Sequence, residues 1–393
     1  ANIGYYWWSN DIGGHMFGRC DDEMAARWVQ LGCFSPINRL HSTDSVFNSK
    51  EPWRFSRDAR ATMNAHLRLR HRLVPYLYTW ARRARTEGVG PVRPLYHDFP
   101  TQMGAYAHRT QFLFGDLVIV PVVHPADPVS TLAREDAWLP RGTWFDVVTG
   151  RRYECPDAAG RDLTLSRPLD RLPVLARAGA VVVGAEDLGE AAGDNPRRLS
   201  VIVVPGADGE FVLEEDDGSA EPGPDRVART HMALTWPDTE DEDGGDAVLR
   251  IRLEGATDVV PDSRKVTVRL LSCRVTGAWL GVGEQACRLA TEEVDGDGFT
   301  LGAGTLVHVG EMSRQELADG VGLVLRGTRQ EPMDWRDEVH TILDAARVEY
   351  MAKDLAWAAV QRGLSGTALL GEMEALGLPE TLRAAVAEVL PHS

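Results

Sequence analysis

The sequence predicts a multidomain chain that combines an α/β segment, two antiparallel β domains and a helical C-terminal tail. Three observations lead to this fold class. The first ninety residues alternate strand, loop and helix twice, short strands alternate with turns from about Pro91, and apolar residues recur at helical spacing from Ser313. A chain of 393 residues is long enough for two or three such units.

The N-terminal segment has the pattern of two parallel βα units. Asp21 and Asp22 are suited to cap a helix that we expect to stop at Gly32. Pro75 predicts a kink or break in a later, longer helix. Strand, loop and helix in this repeated order are typical of parallel βα units. The predicted strands and helices alternate along the chain at residues 3–8, 23–31, 33–37 and 57–87.

The middle of the chain predicts antiparallel β structure, and its end predicts helices. The acidic run at residues 238–243 predicts a solvated loop. Residues 338–352 and 378–390 carry apolar stripes that could pack onto the preceding β domain or join subunits of a homo-oligomer. The predicted strands are short and bounded by turn residues, at 112–114, 117–123, 143–148, 172–175, 180–183, 199–204, 209–213, 248–253, 266–271 and 306–309.

Composition argues against several classes of partner. The chain has 42 basic and 58 acidic residues and a net charge of −16, so we expect neither nucleic acid nor a membrane surface as a partner. Five scattered cysteines predict neither a disulfide framework nor a zinc site and favour a reducing, cytoplasmic compartment. Because the chain begins at Ala1 rather than Met, we expect a preceding segment, with any targeting signal, to be missing.

Short motifs follow one another in a fixed order through the first half of the chain. WSNDIGG at residues 8–14 is followed by RWVQLG, FSP and RLH, the last at residues 39–41. The series continues with KEPW, LRHRLVPYLY, PVRPL, QFLFGD, VIVPV and GTWFD, and it ends with EEDDG at residues 214–218. In type and order these segments resemble glycoside hydrolase family 31, and the resemblance covers residues 1 to about 220.

The resemblance implies a fold and a domain order. It places residues 1–91 at the end of a (β/α)8 TIM barrel, as the last two βα units. Residues 92–185 and 186–312 would form proximal and distal β-sandwich-like domains, and residues 313–393 a helical segment. A closed barrel needs eight strands, so the chain is expected to be a fragment or to depend on a partner that completes the barrel.

The resemblance also implies retaining hydrolysis of α-glycosidic bonds by two carboxylates. In the family, both the nucleophile and the acid/base residue precede the DIGG motif. No catalytic residue is therefore assigned to this chain, and we expect the chain alone to be inactive. Hydrolysis by paired carboxylates needs no cofactor, and no metal site is predicted. The expected partner is an α-linked oligosaccharide or glycoside.

Two residues that match family positions are assigned to the sugar. Asp11 follows a strand at the carboxyl end, where barrel sites are built, and borders the sugar pocket in the family. The structural alternative is a loop carboxylate that accepts hydrogen bonds from Gly13 and Gly14. His41 matches the family histidine that binds a sugar hydroxyl, although a lone histidine is more often structural.

Three further residues are weaker candidates. His15 stands where the family usually has Phe, which lines the pocket, so its contact with the sugar is left open. Trp8 could stack on a sugar ring, but neighbouring strand residues face opposite ways, and at most one of Trp7 and Trp8 can face the barrel mouth. Arg39 is as well suited to a buried ion pair as to sugar contact.

Three functions stay open at this stage. The first is an α-glycosidase acting on terminal α-linked sugars, with α-glucosides favoured and α-xylosides second. The second is a non-catalytic piece that contributes accessory β domains. The third is a transferase on the same scaffold, because a retaining glycosidase transfers sugar whenever an acceptor hydroxyl outcompetes water.

Overall fold

The computed structural model describes residues 1–186, 194–238, 244–281, 286–298, 300–331 and 333–391. Of the predicted acidic loop, only Asp238 belongs to these ranges, and residues 239–243 lie outside them. No helix in the described ranges is long and apolar enough to cross a membrane. All five cysteines lie within these ranges, and each is a free thiol.

Three helices organise the N-terminal segment: α1 (Asp22–Cys33), α2 (Arg57–Arg72) and α3 (Val74–Thr86). The Asp21 carboxylate caps α1 by accepting a hydrogen bond of 2.9 Å from the Met24 amide, as its position predicts. The break between α2 and α3 falls at Leu73, just before Pro75, because proline has no amide hydrogen to continue the helical ladder.

The buried strand that we predict at residues 3–8 is not present. Ile3 and Tyr5 are 92% and 63% exposed, and the predicted strand at residues 33–37 is also absent, since Cys33 ends α1. Two parallel bridges remain, Ser9 with Ile37 and Ile12 with Leu40. Aromatic and β-branched residues favour a strand, but a ladder needs neighbours on its edges, and among the described residues these two N-terminal segments form bridges only with each other. The parallel direction agrees with the predicted βα units.

The next region forms two antiparallel sheets. A six-stranded sheet has the order β1-β2-β3-β8-β5-β6, and β4 pairs with β7. Their apolar faces meet in a core that includes Trp138, Trp144 and Tyr153. The elements are β1 (Val92–Arg93), α4 (Leu95–Asp98), α5 (Gly104–Ala107), β2 (Phe112–Phe114), β3 (Leu117–Ile119), β4 (Ala133–Leu139), β5 (Gly142–Asp146), β6 (Arg152–Cys155), β7 (Arg161–Arg167) and β8 (Val174–Arg177).

The third region is an eleven-stranded sheet. Its order is β11-β12-β13-β19-β16-β17-β18-β14-β10-β9, and β15 pairs with β19. The prediction of an antiparallel domain needs correction, because β10 pairs with β14 in parallel and the sheet is therefore mixed. The strands are β9 (Val181–Ala185), β10 (Arg198–Val203), β11 (Gly209–Asp216), β12 (Val227–Thr235), β13 (Gly245–Gly255), β14 (Ser263–Leu271), β15 (Cys273–Arg274), β16 (Gly277–Leu280), β17 (Cys287–Val294), β18 (Gly304–Ser313) and β19 (Val321–Gln330).

Strand β19 also corrects the prediction that the chain is helical from Ser313 onward. The capping box of Ser313 and Glu316 does start a helix, α6 (Arg314–Asp319), but Gly320 ends it with a φ of 89°. The chain then returns to the sheet, where β19 pairs with β13 and β16. The domain boundaries drawn from the sequence stay predictions.

The C-terminal tail is a group of four helices with its own core, and it docks on the β4–β7 side of the molecule. A buried ion-pair network, which we call the Glu388 cluster, joins the two parts through Asp146, Arg151, Arg167, Glu338 and Glu388. The sequence left open packing on the distal β domain or on another subunit, and this expectation needs correction, because the described contacts of the tail lie with the β region that precedes β9. The helices are α7 (Trp335–Ala345), α8 (Tyr350–Gln361), α9 (Gly366–Ala375) and α10 (Glu380–Val389).

Candidate functional site

The two N-terminal loops are held side by side by the bridge between Ile12 and Leu40. The Ile12 amide donates to the Arg39 carbonyl (3.2 Å), and the His41 amide donates to the Ile12 carbonyl (3.3 Å). Ile12 is buried in the core between α1 and α2. Successive residues of extended chain face opposite ways, so burial of Ile12 turns its neighbour Asp11 toward solvent. On the second loop, His41 follows Leu40 and lies close to Asp11.

Asp11, His15, Arg39 and His41 converge in what we call the Asp11 cluster. Arg39 Nη2 donates to Asp11 Oδ1 at 2.5 Å. The other carboxylate oxygen, Oδ2, lies 3.6 Å from His15 Nδ1 and 3.9 Å from His41 Nε2. The two imidazole rings stack with centroids 4.5 Å apart and an interplanar angle of 27°. The four side chains are about one third to one half exposed, so they are accessible to a ligand.

The electrostatics of the Asp11 cluster favour an ionised carboxylate. The hydrogen bond from Arg39 holds the pKa of Asp11 below its ordinary value; desolvation opposes this effect, and the charge interaction with His41 adds to it. Asp11 therefore presents an acceptor-only group to whatever enters between the two histidines.

The contacts of Asp11 differ from those of the structural alternative, in which its carboxylate accepts hydrogen bonds from Gly13 and Gly14. The Gly14 amide donates to the main-chain carbonyl of Asp11 at 2.8 Å, and the carboxylate itself pairs with Arg39. A buried ion pair was one of the two roles expected for Arg39, but the observed pair with Asp11 is partly exposed. The structure thus brings together Asp11, His15 and His41 and adds Arg39.

Trp8 does not join this group. Its ring packs partly against the main hydrophobic core, and its buried indole Nε1 has no hydrogen-bond partner among the described residues. Trp7 is the more exposed of the pair, at 43%. Trp7 and Trp8 therefore differ in exposure, as expected for neighbouring residues that face opposite ways. The stacking role of Trp8 stays a prediction.

A cavity of about 500 Å³ lies beside the cluster and extends toward the loop before α2. Lys50 lines it and reaches across Gly13, where an added Cβ would lie only 2.7 Å from Lys50 Cδ. Lys50 Nζ donates to Asn48 Oδ1 at 2.6 Å, and the Asn48 amide contacts the His15 carbonyl at 3.4 Å. We did not single out Lys50 or Asn48 from the sequence, although Lys50 opens the KEPW motif.

Comparisons with known proteins agree with this architecture. Residues 1–80 match the family model of the glycosyl hydrolases family 31 TIM-barrel domain, and residues 88–182 match that of the glycosyl hydrolase family 31 C-terminal domain. The fold and the matched ranges define the end of a glycoside hydrolase barrel and the β domain that follows it. Over these residues the chain belongs to glycoside hydrolase family 31, a family of α-glycosidases, which confirms the resemblance stated from the motifs.

Individual relatives are named for two activities, α-xylosidase and α-glucosidase. An α-xylosidase of Saccharolobus solfataricus is 33% identical over 224 residues, which are 55% of this chain and 29% of the relative. The lysosomal α-glucosidase of Bos taurus is 34% identical over 186 residues, which are 44% of this chain and 19% of the relative. The chain therefore spans less than a third of the length of these relatives.

A solved structure supports the fold at lower identity. The dextranase of Flavobacterium johnsoniae, in complex with glucose, superimposes with a TM-score of 0.65 at 20% identity. The match covers 80% of this chain and 39% of the dextranase. At this identity the likeness concerns the fold alone.

Proposed function

We propose that this chain contributes the sugar-binding end of a retaining α-glycosidase that hydrolyses terminal α-linked sugars, with α-glucosides as the favoured substrates. The observation that carries the proposal is the convergence of Asp11 and His41, two family-matched residues, on one open site beside the parallel bridges that join the two N-terminal loops. Had these side chains faced apart, they could not have shared a sugar.

In this proposal Asp11 and His41 bind hydroxyl groups of the terminal sugar. The Asp11 carboxylate accepts hydrogen bonds from hydroxyls, and the His41 imidazole can donate or accept. Arg39 positions the carboxylate by occupying Oδ1, which leaves Oδ2 turned toward the histidines. His15 offers a second imidazole at the edge of the site, and Trp8 is retained as a stacking candidate.

The nucleophile and the acid/base carboxylate are proposed to lie outside this chain, as the order of motifs in the family implies. The isolated chain is therefore expected to bind sugar weakly and to hydrolyse none. Under the alternative reading, the chain serves only as a non-catalytic piece with accessory β domains. Location in the cytoplasm stays a prediction from the cysteine pattern.

The test compares two proteins: this chain and the polypeptide encoded by the whole reading frame that contains it. Each is assayed with the nitrophenyl α-glucoside, α-xyloside and β-glucoside. We expect the whole polypeptide to cleave the α-glucoside fastest, and this chain to cleave none. Faster cleavage of the α-xyloside would shift the substrate to the alternative, whereas cleavage of the β-glucoside alone would refute the class.

Substitution of Asp11 in the whole polypeptide tests the site itself. Asp11→Asn should lower kcat/KM for the preferred α-glycoside about 100-fold. Asp217→Asn is the matched control, because Asp217 also pairs with an arginine, Arg226 at 3.1 Å, and is similarly exposed. Equal activity of the two variants would remove Asp11 from the site.

A further inference from the structure

Three metal-ligating side chains meet in the Asp11 cluster, although they are distant in the sequence. One ligand atom from each of Asp11, His15 and His41 lies within 4.8 Å of the others. His15 follows the DIGG motif on the first loop, whereas His41 comes from the second. Sequence spacing showed no metal motif here, because the group forms only when the bridge between Ile12 and Leu40 aligns the two loops.

We infer that Asp11, His15 and His41 form a binding site for a divalent transition-metal ion, with zinc as the best-matched ion. Two imidazoles and one carboxylate are a ligand set that zinc accepts, and an open fourth position is then available to water or another small ligand. The same set disfavours magnesium and calcium, which prefer all-oxygen coordination.

Two of the three distances between ligand atoms require a small contraction, and the third, between the two imidazole nitrogens, is at most 4.8 Å. Zinc bonds of about 2.0–2.1 Å at tetrahedral angles place ligand atoms about 3.3 Å apart. Asp11 Oδ2 now lies 3.6 Å from His15 Nδ1 and 3.9 Å from His41 Nε2. Side-chain rotation can close this gap, because all three side chains are partly exposed. The main chain around them is already fixed, with the Thr43 amide donating to the His15 carbonyl at 3.0 Å.

Arg39 has two opposing effects on such an ion. Its hydrogen bond to Oδ1 orients the carboxylate and leaves Oδ2 for the metal, as outer-sphere partners of metal ligands do. Its positive charge, however, repels the cation. Arg39 is 52% exposed, so water screens this repulsion, and the site is expected to bind more weakly than an enclosed structural zinc site.

An ion at this position would occupy Asp11 and His41, which the proposed function assigns to the sugar. Zinc should therefore compete with the sugar rather than assist its hydrolysis. The residue that makes the difference is His15, since Asp11 and His41 alone supply only two ligands. His15 thus converts a sugar-binding pair into a three-ligand metal site.

The first experiment measures metal uptake by the whole chain, free of any affinity tag. The exposed Cys20 and Cys287 are replaced by Ser to remove competing thiols. Calorimetric titration with zinc chloride is expected to give one site per chain, and bound cobalt should show the absorption spectrum of tetrahedral coordination. Absence of any zinc uptake would overturn the inference.

His15→Phe is the decisive variant, and His231→Phe is its matched control. Both histidines are 43% exposed and lie near a carboxylate, at 3.6 Å for His15 with Asp11 and at 3.5 Å for His231 with Glu254. His15→Phe should weaken zinc binding about 100-fold, whereas the control should bind like the parent. His15→Gln, which stays polar, is measured beside it and should also lose zinc. Unchanged binding in both His15 variants would overturn the inference.

A separate assay distinguishes this inference from the proposed function. In the whole polypeptide treated with a chelator, α-glycoside cleavage reports the proposed function alone. Added zinc should then inhibit the parent at least about tenfold more strongly than His15→Phe. Zinc uptake that depends on His15, without any α-glycosidase activity, would support the metal site and refute the proposed function. α-Glycosidase activity that zinc inhibits equally in the parent and in His15→Phe would support the proposed function and refute the metal site.

Discussion

The Asp11 cluster and the Glu388 cluster are built from the same carboxylate and guanidinium chemistry, but they differ in their access to water. In the Asp11 cluster, Arg39 contacts one carboxylate oxygen and the other faces two partly exposed histidines. In the Glu388 cluster, Glu388 is only 4% exposed, and Arg151 and Arg167 donate to it at 2.6 and 2.7 Å.

Both carboxylate oxygens of Glu388 are occupied. Glu388 also accepts hydrogen bonds from the Ser166 amide and the Tyr153 hydroxyl, and Arg167 reaches Asp146 at 2.6 Å. Burial by itself would raise the pKa of Glu388, but Arg167 and Arg151 hold it below the ordinary value. The difference teaches that a buried carboxylate with both oxygens paired fixes one docking geometry, whereas a partly exposed carboxylate with one oxygen paired keeps an acceptor available for a ligand.

The largest effect is expected from breaking the buried cluster. Glu388→Gln removes one charge at nearly constant volume and leaves Arg151 and Arg167 buried without their shared anion. Arg151 keeps Glu338 and Arg167 keeps Asp146 as partners, but breaking a buried ion pair by removing one partner still costs about 3–5 kcal/mol of the free energy of unfolding. Urea denaturation followed by tryptophan fluorescence measures the loss, since Trp335 and Trp357 lie in the tail.

Glu380→Gln is the control for that substitution. Glu380 lies on the same helix, α10, and pairs with Arg134 at 3.0 Å, but it is 69% exposed. Exposed pairs contribute about 0–1 kcal/mol, so the unfolding midpoint should hardly move. Equal losses in the two variants would show that burial does not distinguish the clusters.

A smaller effect is expected from His66, which extends the contrast to histidine. His66 is 1% exposed on α2, and its Nδ1 lies 2.9 Å from the Thr62 carbonyl. Burial lowers its pKa from 6.5 to about 4, while the Thr62 carbonyl opposes this shift. The unfolded chain therefore takes up a proton before the folded chain does, and stability is lost as the pH falls from 6.5 to 4.

The size of this pH effect follows from the shift and is about 3 kcal/mol. Denaturation curves collected at pH 7, 6, 5 and 4 measure it. His66→Gln, which can still donate to Thr62, should flatten the curve of stability against pH over this window. A slope that persists in the variant would assign the effect to another group.

The same contrast explains how much of the fold the sequence could predict. Strand β2 was predicted at its observed bounds, and Pro75 correctly marked the division of the long helix. These elements depend on local patterns. The strand expected at residues 3–8 depends on neighbours that the local pattern does not contain, and β19 was hidden behind a correctly predicted helix start at Ser313.

The candidate site was predictable to a similar degree. Asp11 and His41 were selected because they match family motifs at the ends of two segments, and the parallel bridge brings them together. The position of His15, stacked on His41 and facing the same carboxylate oxygen, depends on loop geometry that no spacing rule encodes. For Arg39 the sequence offered a buried ion pair without a named partner, whereas the observed pair with Asp11 is partly exposed.

The smallest effect on stability is expected at Asp11 itself. Asp11→Asn removes the charge that faces Arg39, but water can solvate the exposed guanidinium, so the free energy of unfolding should hardly change. Asp146→Asn is the buried counterpart, because Asp146 is fully buried and pairs with Arg167. Urea denaturation of both variants should show a large loss only for Asp146. A loss at Asp11 comparable to that at Asp146 would mean that Asp11 is a structural residue, and the interpretation of its cluster as a ligand site would fail.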